Sequence, residues 1–203
     1  MKNFFRKKEE ERTLNTLRVD EKFKVVAKEI TGYDVEYMYK DLSKMPGVCP
    51  YCRSKYKSIP NLEYRPNKRK ADVYCTYDDF SIVSDKFKAF CDLNDYKDLK
   101  FLKLHKSRYY FFEPQSVFKT NIYWHPFNKL GHWCDMCKDY CEITGGVLKD
   151  ESFELDSDDF ILRTDRCYSS FEWKSPSIIV GLKTMEKMKA FGLKGICFSD
   201  VWG

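Results

Sequence analysis

Three features of this 203-residue chain predict an α+β fold. Strand-like and helix-like segments are interspersed along its length. Two of the helix-like segments echo each other: Lys86-Phe87-Lys88-Ala89-Phe90 resembles Lys187-Met188-Lys189-Ala190-Phe191. Each follows an Ile-Val pair and precedes a Leu-Lys strand, with a gap of eight residues in the first copy and one in the second. Two CxxC pairs, Cys49-Pro50-Tyr51-Cys52 and Cys134-Asp135-Met136-Cys137, stand far apart. Together these imply two related strand-helix-strand units joined around a four-cysteine site.

The elements follow in order. Residues 3–18 are highly charged and read as a short helix. Residues 20–30 place Phe23, Val26, Ala27 and Ile30 at helical spacing, with Asp20 as cap and Gly32 as stop. Tyr33, Val35, Tyr37 and Tyr39 alternate as a strand. Pro46-Gly47 turns the chain into the first CxxC pair. Residues 55–70 read as a basic loop. Val73 to Thr76 is a short strand, and Ser84 caps a helix over Asp85 to Asp92. Leu99 to Leu104 alternates as a strand, and Tyr109-Tyr110-Phe111-Phe112 is an aromatic strand expected in the core. Gly145-Gly146 is a turn, and Ser157 to Thr164 reads as a cap and short element. Ile178-Ile179-Val180 is a buried strand, Lys183 to Phe191 a helix stopped by Gly192, and Leu193 to Val201 the closing strand.

Composition fits a globular chain: 43% hydrophobic, 33% charged, and rich in aromatics at 17%. No apolar run approaches the roughly 20 residues of a membrane span. No apolar stretch follows the basic first residues, so no signal peptide is expected. Nine cysteines, an odd number, without an export signal point to a reducing cytoplasm. The net charge of +5 is uneven. Residues 1–70 carry 18 Lys and Arg against 10 Asp and Glu, whereas residues 150–203 carry 7 against 10. The densest basic run contains Arg65, Lys68, Arg69 and Lys70. The densest acidic run, residues 150–159, contains Asp156, Asp158 and Asp159. Each is a solvated segment first and a candidate partner surface second.

Two thiols at i and i+3 grip one face of a metal ion, and two such pairs complete a tetrahedral four-sulfur zinc site with no position open to water. Such a site staples structure and does no chemistry. Pro50 suits the tight turn of the first pair, and Gly47 and Gly131 give both pairs flexible approaches. The 81 residues between Cys52 and Cys134 exceed a compact zinc ribbon, so the tertiary fold must close the site. The expected ligands are Cys49, Cys52, Cys134 and Cys137. His132 and Cys141 lie near enough to compete, although burial is the commoner fate of a free cysteine, and the same reading covers Cys75, Cys91, Cys167 and Cys197. A redox role for either CxxC lacks a surrounding βαβ pattern.

Enzyme signatures are missing. There is no phosphate loop, dinucleotide fingerprint or nucleophile elbow. His105, His125 and His132 sit in no nucleophile–acid pattern, though Cys167 and His125 could meet in space. A non-enzymatic binding protein is expected. A zinc-knuckle module contacting nucleic acid through residues 65–70 is the alternative.

The segment Leu42-Ser43-Lys44-Met45-Pro46-Gly47-Val48-Cys49-Pro50-Tyr51-Cys52 resembles the entry motif of the bacterial double-CxxCG motif immunity proteins. The second CxxC pair falls where that family has its second. The tail is similar too, with Phe160-Ile161-Leu162-Arg163, then Ile178-Ile179-Val180, a helix, and Gly192-Leu193-Lys194-Gly195-Ile196-Cys197-Phe198. The tail alone also resembles wider toxin-immunity families. The resemblance covers residues 40–203 and sets residues 1–39 apart as a charged, helical amino-terminal segment. Arg53 and Lys138 stand where the family has glycines, and Asp135 where proline is usual. The resemblance implies a cytoplasmic protein that binds a cognate toxin and blocks it by stoichiometric occlusion. It implies no small-molecule substrate and no membrane partner.

Overall fold

The computed structural model describes residues 23–67, 70–123 and 128–203. Fourteen strands and two helices are named among them. The strands are β1 (Val25–Val35), β2 (Val73–Thr76), β3 (Ser81–Ser84), β4 (Leu99–Lys103), β5 (Tyr109–Pro114), β6 (Val117–Phe118), β7 (Lys129–Leu130), β8 (Trp133–Cys134), β9 (Asp139–Tyr140), β10 (Glu142–Thr144), β11 (Val147–Leu148), β12 (Ile161–Ser170), β13 (Ser175–Val180) and β14 (Ile196–Trp202). The helices are α1 (Asp85–Leu93) and α2 (Leu182–Ala190). The molecule is therefore mixed α/β, built on a twelve-stranded sheet whose main path runs β4-β5-β3-β2-β1-β13-β12-β10-β7. A separate two-stranded sheet, β8-β9, carries the second CxxC pair.

Each helix lies between two strands in sequence. β3 and β4 both pair antiparallel with β5, which runs between them. β13 and β14 both pair antiparallel with β1, which runs between them in the same way. Ser84 caps α1 as the sequence predicts, its side chain accepting the Phe87 N–H. α2 ends at Gly192 (φ +74), whose N–H donates to the Lys189 carbonyl. The closing strand starts at Ile196 rather than Leu193, because Leu193 to Gly195 make the exit from α2.

One predicted element is overturned. Residues 20–30 were expected to be a helix, yet Val25–Val35 is the long strand β1, paired with β2, β13 and β14. Asp20 and the expected helix over residues 3–18 fall outside the described residues. The apolar spacing misleads because both faces of β1 are covered. Ala27 joins one core cluster and Ile30 another. A strand buried on two sides loses its period-2 signature, and the β-branched Val25, Val26, Ile30 and Thr31 suit it. Gly32 is no stop: a Cβ there would lie 2.4 Å from the Tyr74 backbone, so glycine lets β1 approach β2. The strand predicted to reach Tyr39 ends at Val35. Beyond it the Asp78 carboxylate accepts the Met38 and Tyr39 N–H groups at 2.8 and 2.9 Å and holds a loop.

Neighbouring strand residues alternate between clusters. Val73, Val83, Phe112, Ile178 and Val180 pack with Phe87, Phe90 and Met188 of the helices. Tyr74, Ile82 and Phe111 pack with Met38, Met45 and Tyr64 from the loop before β2. Ile179 packs with Phe118, Ile122, Ile143 and Val201. The helices thus cover one face and irregular segments the other, and Cys49, Cys52, Cys134 and Cys141 form a fourth, separate cluster with Cys137 packed against it. The aromatic strand is core as expected, with Tyr109, Phe111 and Phe112 buried.

Candidate metal centre

The two CxxC pairs are built alike. In the first, Val48 bridges Lys55 across a tight hairpin, the Cys49 N–H donates to the Ser54 carbonyl at 2.8 Å, and the Arg53 N–H donates to the Cys49 carbonyl at 2.9 Å. In the second, β8 and β9 pair Cys134 with Asp139, and the Lys138 N–H donates to the Cys134 carbonyl at 2.8 Å. The residue after each pair is left-handed, Arg53 at φ 64 and Lys138 at φ 56. These are the two positions where the resembled family has glycine. The chain keeps the backbone shape without the residue that adopts it most cheaply.

The tertiary fold brings all four thiols together. The Sγ atoms of Cys49, Cys52, Cys134 and Cys137 lie within 4.8 Å of one another. Cys49 is 3.9 Å from Cys134, and Cys52 is 3.6 Å from Cys137. Four thiolates around a zinc ion, each about 2.3 Å from it, would stand about 3.8 Å apart at tetrahedral angles. The cluster therefore has the size of a metal site. Cys49, Cys52 and Cys134 are buried and Cys137 is half-buried. The backbone N–H of Cys137 points at the Cys134 sulfur and holds that thiol low, at about 7. Burial, reinforced by the neighbouring thiols, pushes Cys137 up to about 12.

The other candidate ligands stand aside. Cys141 is buried against the cluster but is not one of the four close-set sulfurs, and its Sγ meets His132 Nδ1 at 3.0 Å. His132 orients Cys141 rather than a CxxC sulfur. Of the cysteines expected to be buried, Cys91 is, Cys75 and Cys167 are half-buried, and Cys197 is exposed on β14, which corrects that expectation. Burial pushes the Cys167 thiol up to about 11, so it is no ready nucleophile. His125, its suggested partner, lies outside the described residues.

Two buried lysines beside the centre escape the sequence. Lys174 is 1% exposed; its Nζ is 2.7 Å from Asp139 Oδ2 and also donates to the Tyr140 carbonyl. It ties β9, and with it the second CxxC hairpin, to the chain just before β13. Lys55, 2% exposed, directly follows the first hairpin. Its Nζ donates to the Asp78 and Asp79 carbonyls at 2.6 and 3.2 Å and lies 4.1 Å from the Phe80 ring centroid. Desolvation draws its pKa down. Nothing in the sequence separates these lysines from the solvated ones around them.

The two charged candidate surfaces differ. Arg65 and Lys70 are exposed, and Lys68 and Arg69 fall outside the described residues. Asp156 and Asp158 are exposed, but Asp159 is structural. It accepts from Tyr96 Oη at 2.6 Å, Thr184 Oγ1 at 3.1 Å and Lys187 Nζ at 2.5 Å, locking α2 onto the preceding loop. Partial burial works to raise the Asp159 carboxyl, but those hydrogen bonds outweigh it and hold it below the usual range. At the metal centre, Tyr51 and Met136 occupy the same position in the two CxxC pairs and are 76% and 62% exposed. Among the described residues no helix is long and apolar enough to cross a membrane. Comparison with protein-family models and with curated proteins finds no match for this chain.

Proposed function

We propose that Cys49, Cys52, Cys134 and Cys137 hold one structural zinc ion, and that the chain is a cytoplasmic, non-enzymatic immunity protein that binds and occludes a cognate protein toxin. The observation that carries this reading is the closed four-sulfur cluster on two hairpins whose left-handed fifth residues match the glycines of the resembled family. Zinc suits an all-thiolate tetrahedral set, and four protein ligands leave no open position for catalysis. Nine free cysteines suit a reducing compartment. The exposed Tyr51 and Met136 offer the kind of apolar anchors that dominate protein interfaces. The matching arrangements around α1 and α2, each with an antiparallel strand between its flanking parallel pair, support two related strand-helix-strand units.

The test has two arms. Protein purified without added zinc is assayed for metal, with one zinc per chain expected. The chain is then co-expressed with the toxic domain of the protein encoded beside it, with restored growth and a one-to-one complex expected. Zinc without rescue would leave the staple standing and remove the immunity reading. Salt-sensitive nucleic-acid binding, lost when Arg65 and Lys70 are neutralised, would put a nucleic-acid module in its place.

A further inference from the structure

Pairing between β1 and β13 stops at Ile30 and Ile178, and adjoining cavities open beside the Ser175 end of β13. One of them, about 290 Å³, is lined by Lys55, Lys57, Lys100, Arg163, Lys174 and Glu113. Two of these cations are neutralised: Lys100 by Glu113 at 3.4 Å and Lys174 by Asp139 at 2.7 Å. Among the described residues no carboxylate lies within ion-pair distance of Lys55, Lys57 or Arg163, although Asp79 and Asp78 offset part of the Lys55 charge. The Lys55 ammonium is met by backbone carbonyls, while the Asp78 carboxylate is engaged by the Met38 and Tyr39 amides.

Arg163 is the informative residue. Its Nη1 makes one long contact, 3.4 Å, to the Thr164 carbonyl, and its Nε is buried with no hydrogen-bond partner. A buried donor left unmade costs on the order of 1–3 kcal/mol, more when it belongs to a charged group. A guanidinium presents its donors as a planar fork that matches an oxyanion. We infer that this cavity is a phosphate-binding site, in which Arg163, flanked by Lys55 and Lys57, takes the dianionic phosphate of a small phosphorylated ligand. A dianion answers Arg163 and Lys57, together with the partly offset Lys55, better than a single carboxylate, and the volume admits a phosphate with part of the group it is attached to. This inference stands apart from the immunity reading, since it uses neither the four cysteines nor a protein partner.

Isothermal titration of the purified chain with pyrophosphate, in 150 mM salt to suppress diffuse charge binding, tests it. Saturable one-to-one binding is expected, weakened at least tenfold in Arg163→Gln. Lys57→Gln, at an exposed position outside the strands, is expected to weaken it several-fold while leaving the melting temperature in place. Failure of pyrophosphate to saturate the protein would overturn the inference. So would acetate binding as tightly as pyrophosphate, or Lys57→Gln binding as tightly as the parent chain.

Discussion

The two CxxC hairpins solve the same local problem but are anchored differently. Each bends back through an N–H of the fifth residue to the carbonyl of the first cysteine, and each places a long cationic residue in the left-handed region. The first hairpin is bound to the body on several sides. Lys55 donates through its backbone to the Phe171 carbonyl and through its side chain to the β2–β3 turn, and Arg53 Nη2 donates to the Leu42 carbonyl at 3.1 Å. The second hairpin pairs only with itself, as β8 with β9. Its ties to the body are the sulfur cluster, Lys174 bound to Asp139 and the Tyr140 carbonyl, the longer Arg166–Asp139 pair, Tyr140 against the core, and the chain on either side. The difference teaches that a shared metal would serve the two unequally: it would finish a hairpin already held in one case and secure a loosely held one in the other.

The strongest way to break this comparison is to remove a thiol from each side. Cys49→Ser and Cys134→Ser should both abolish metal binding and lower stability by about 3 kcal/mol or more, on the order of 10 °C for a chain of this length. Thermal melts and metal analysis check this, and normal folding of both variants would end the staple. Next in size is Lys174→Met. Removing one partner of a buried ion pair leaves Asp139 with only Arg166 at 3.8 Å and should destabilise by about 3 kcal/mol. Denaturant unfolding measures it; a loss below about 1 kcal/mol would mean that the second hairpin is held by other means.

Chelation sharpens the comparison. Stripped of metal, the amides of Trp133 to Tyr140 should lose at least tenfold hydrogen-exchange protection, equivalent to about 1.4 kcal/mol, while those of Val48 to Lys55 change less. Equal losses on both hairpins would refute the asymmetry. The smallest effect is expected from glycine at the left-handed positions. Lys138→Gly should stabilise by a few tenths to about 1 kcal/mol, because its ion pair with Asp135 lies on the surface and the strained φ is relieved. Arg53→Gly should gain less, since it also gives up the bond to Leu42. A reversed order in paired melts would show that the Leu42 contact carries no weight.

Much of the local structure is legible in the sequence because its causes are local. Ser84 as a cap, Gly192 as a stop and the aromatic strand at Tyr109 all follow from short-range chemistry. β1 is misread because its two covered faces come from elements far along the chain, and no window on residues 20–30 contains them. Asp159 looks like one of six solvated carboxylates until Tyr96, Thr184 and Lys187 are placed around it.

By itself the sequence determined the mixed fold class, the two CxxC pairs and the cap and stop signals. Each depends on residues within a few positions of one another, where backbone preference and side-chain spacing act directly. Only the tertiary structure decided that sulfurs 85 positions apart converge, that Lys55 and Lys174 are buried, and that Arg163 lines a basic cavity while its Nε is buried and unpaired. Those facts arise from long-range strand pairing and burial, which bring together groups whose separation along the chain carries no record of their distance in space.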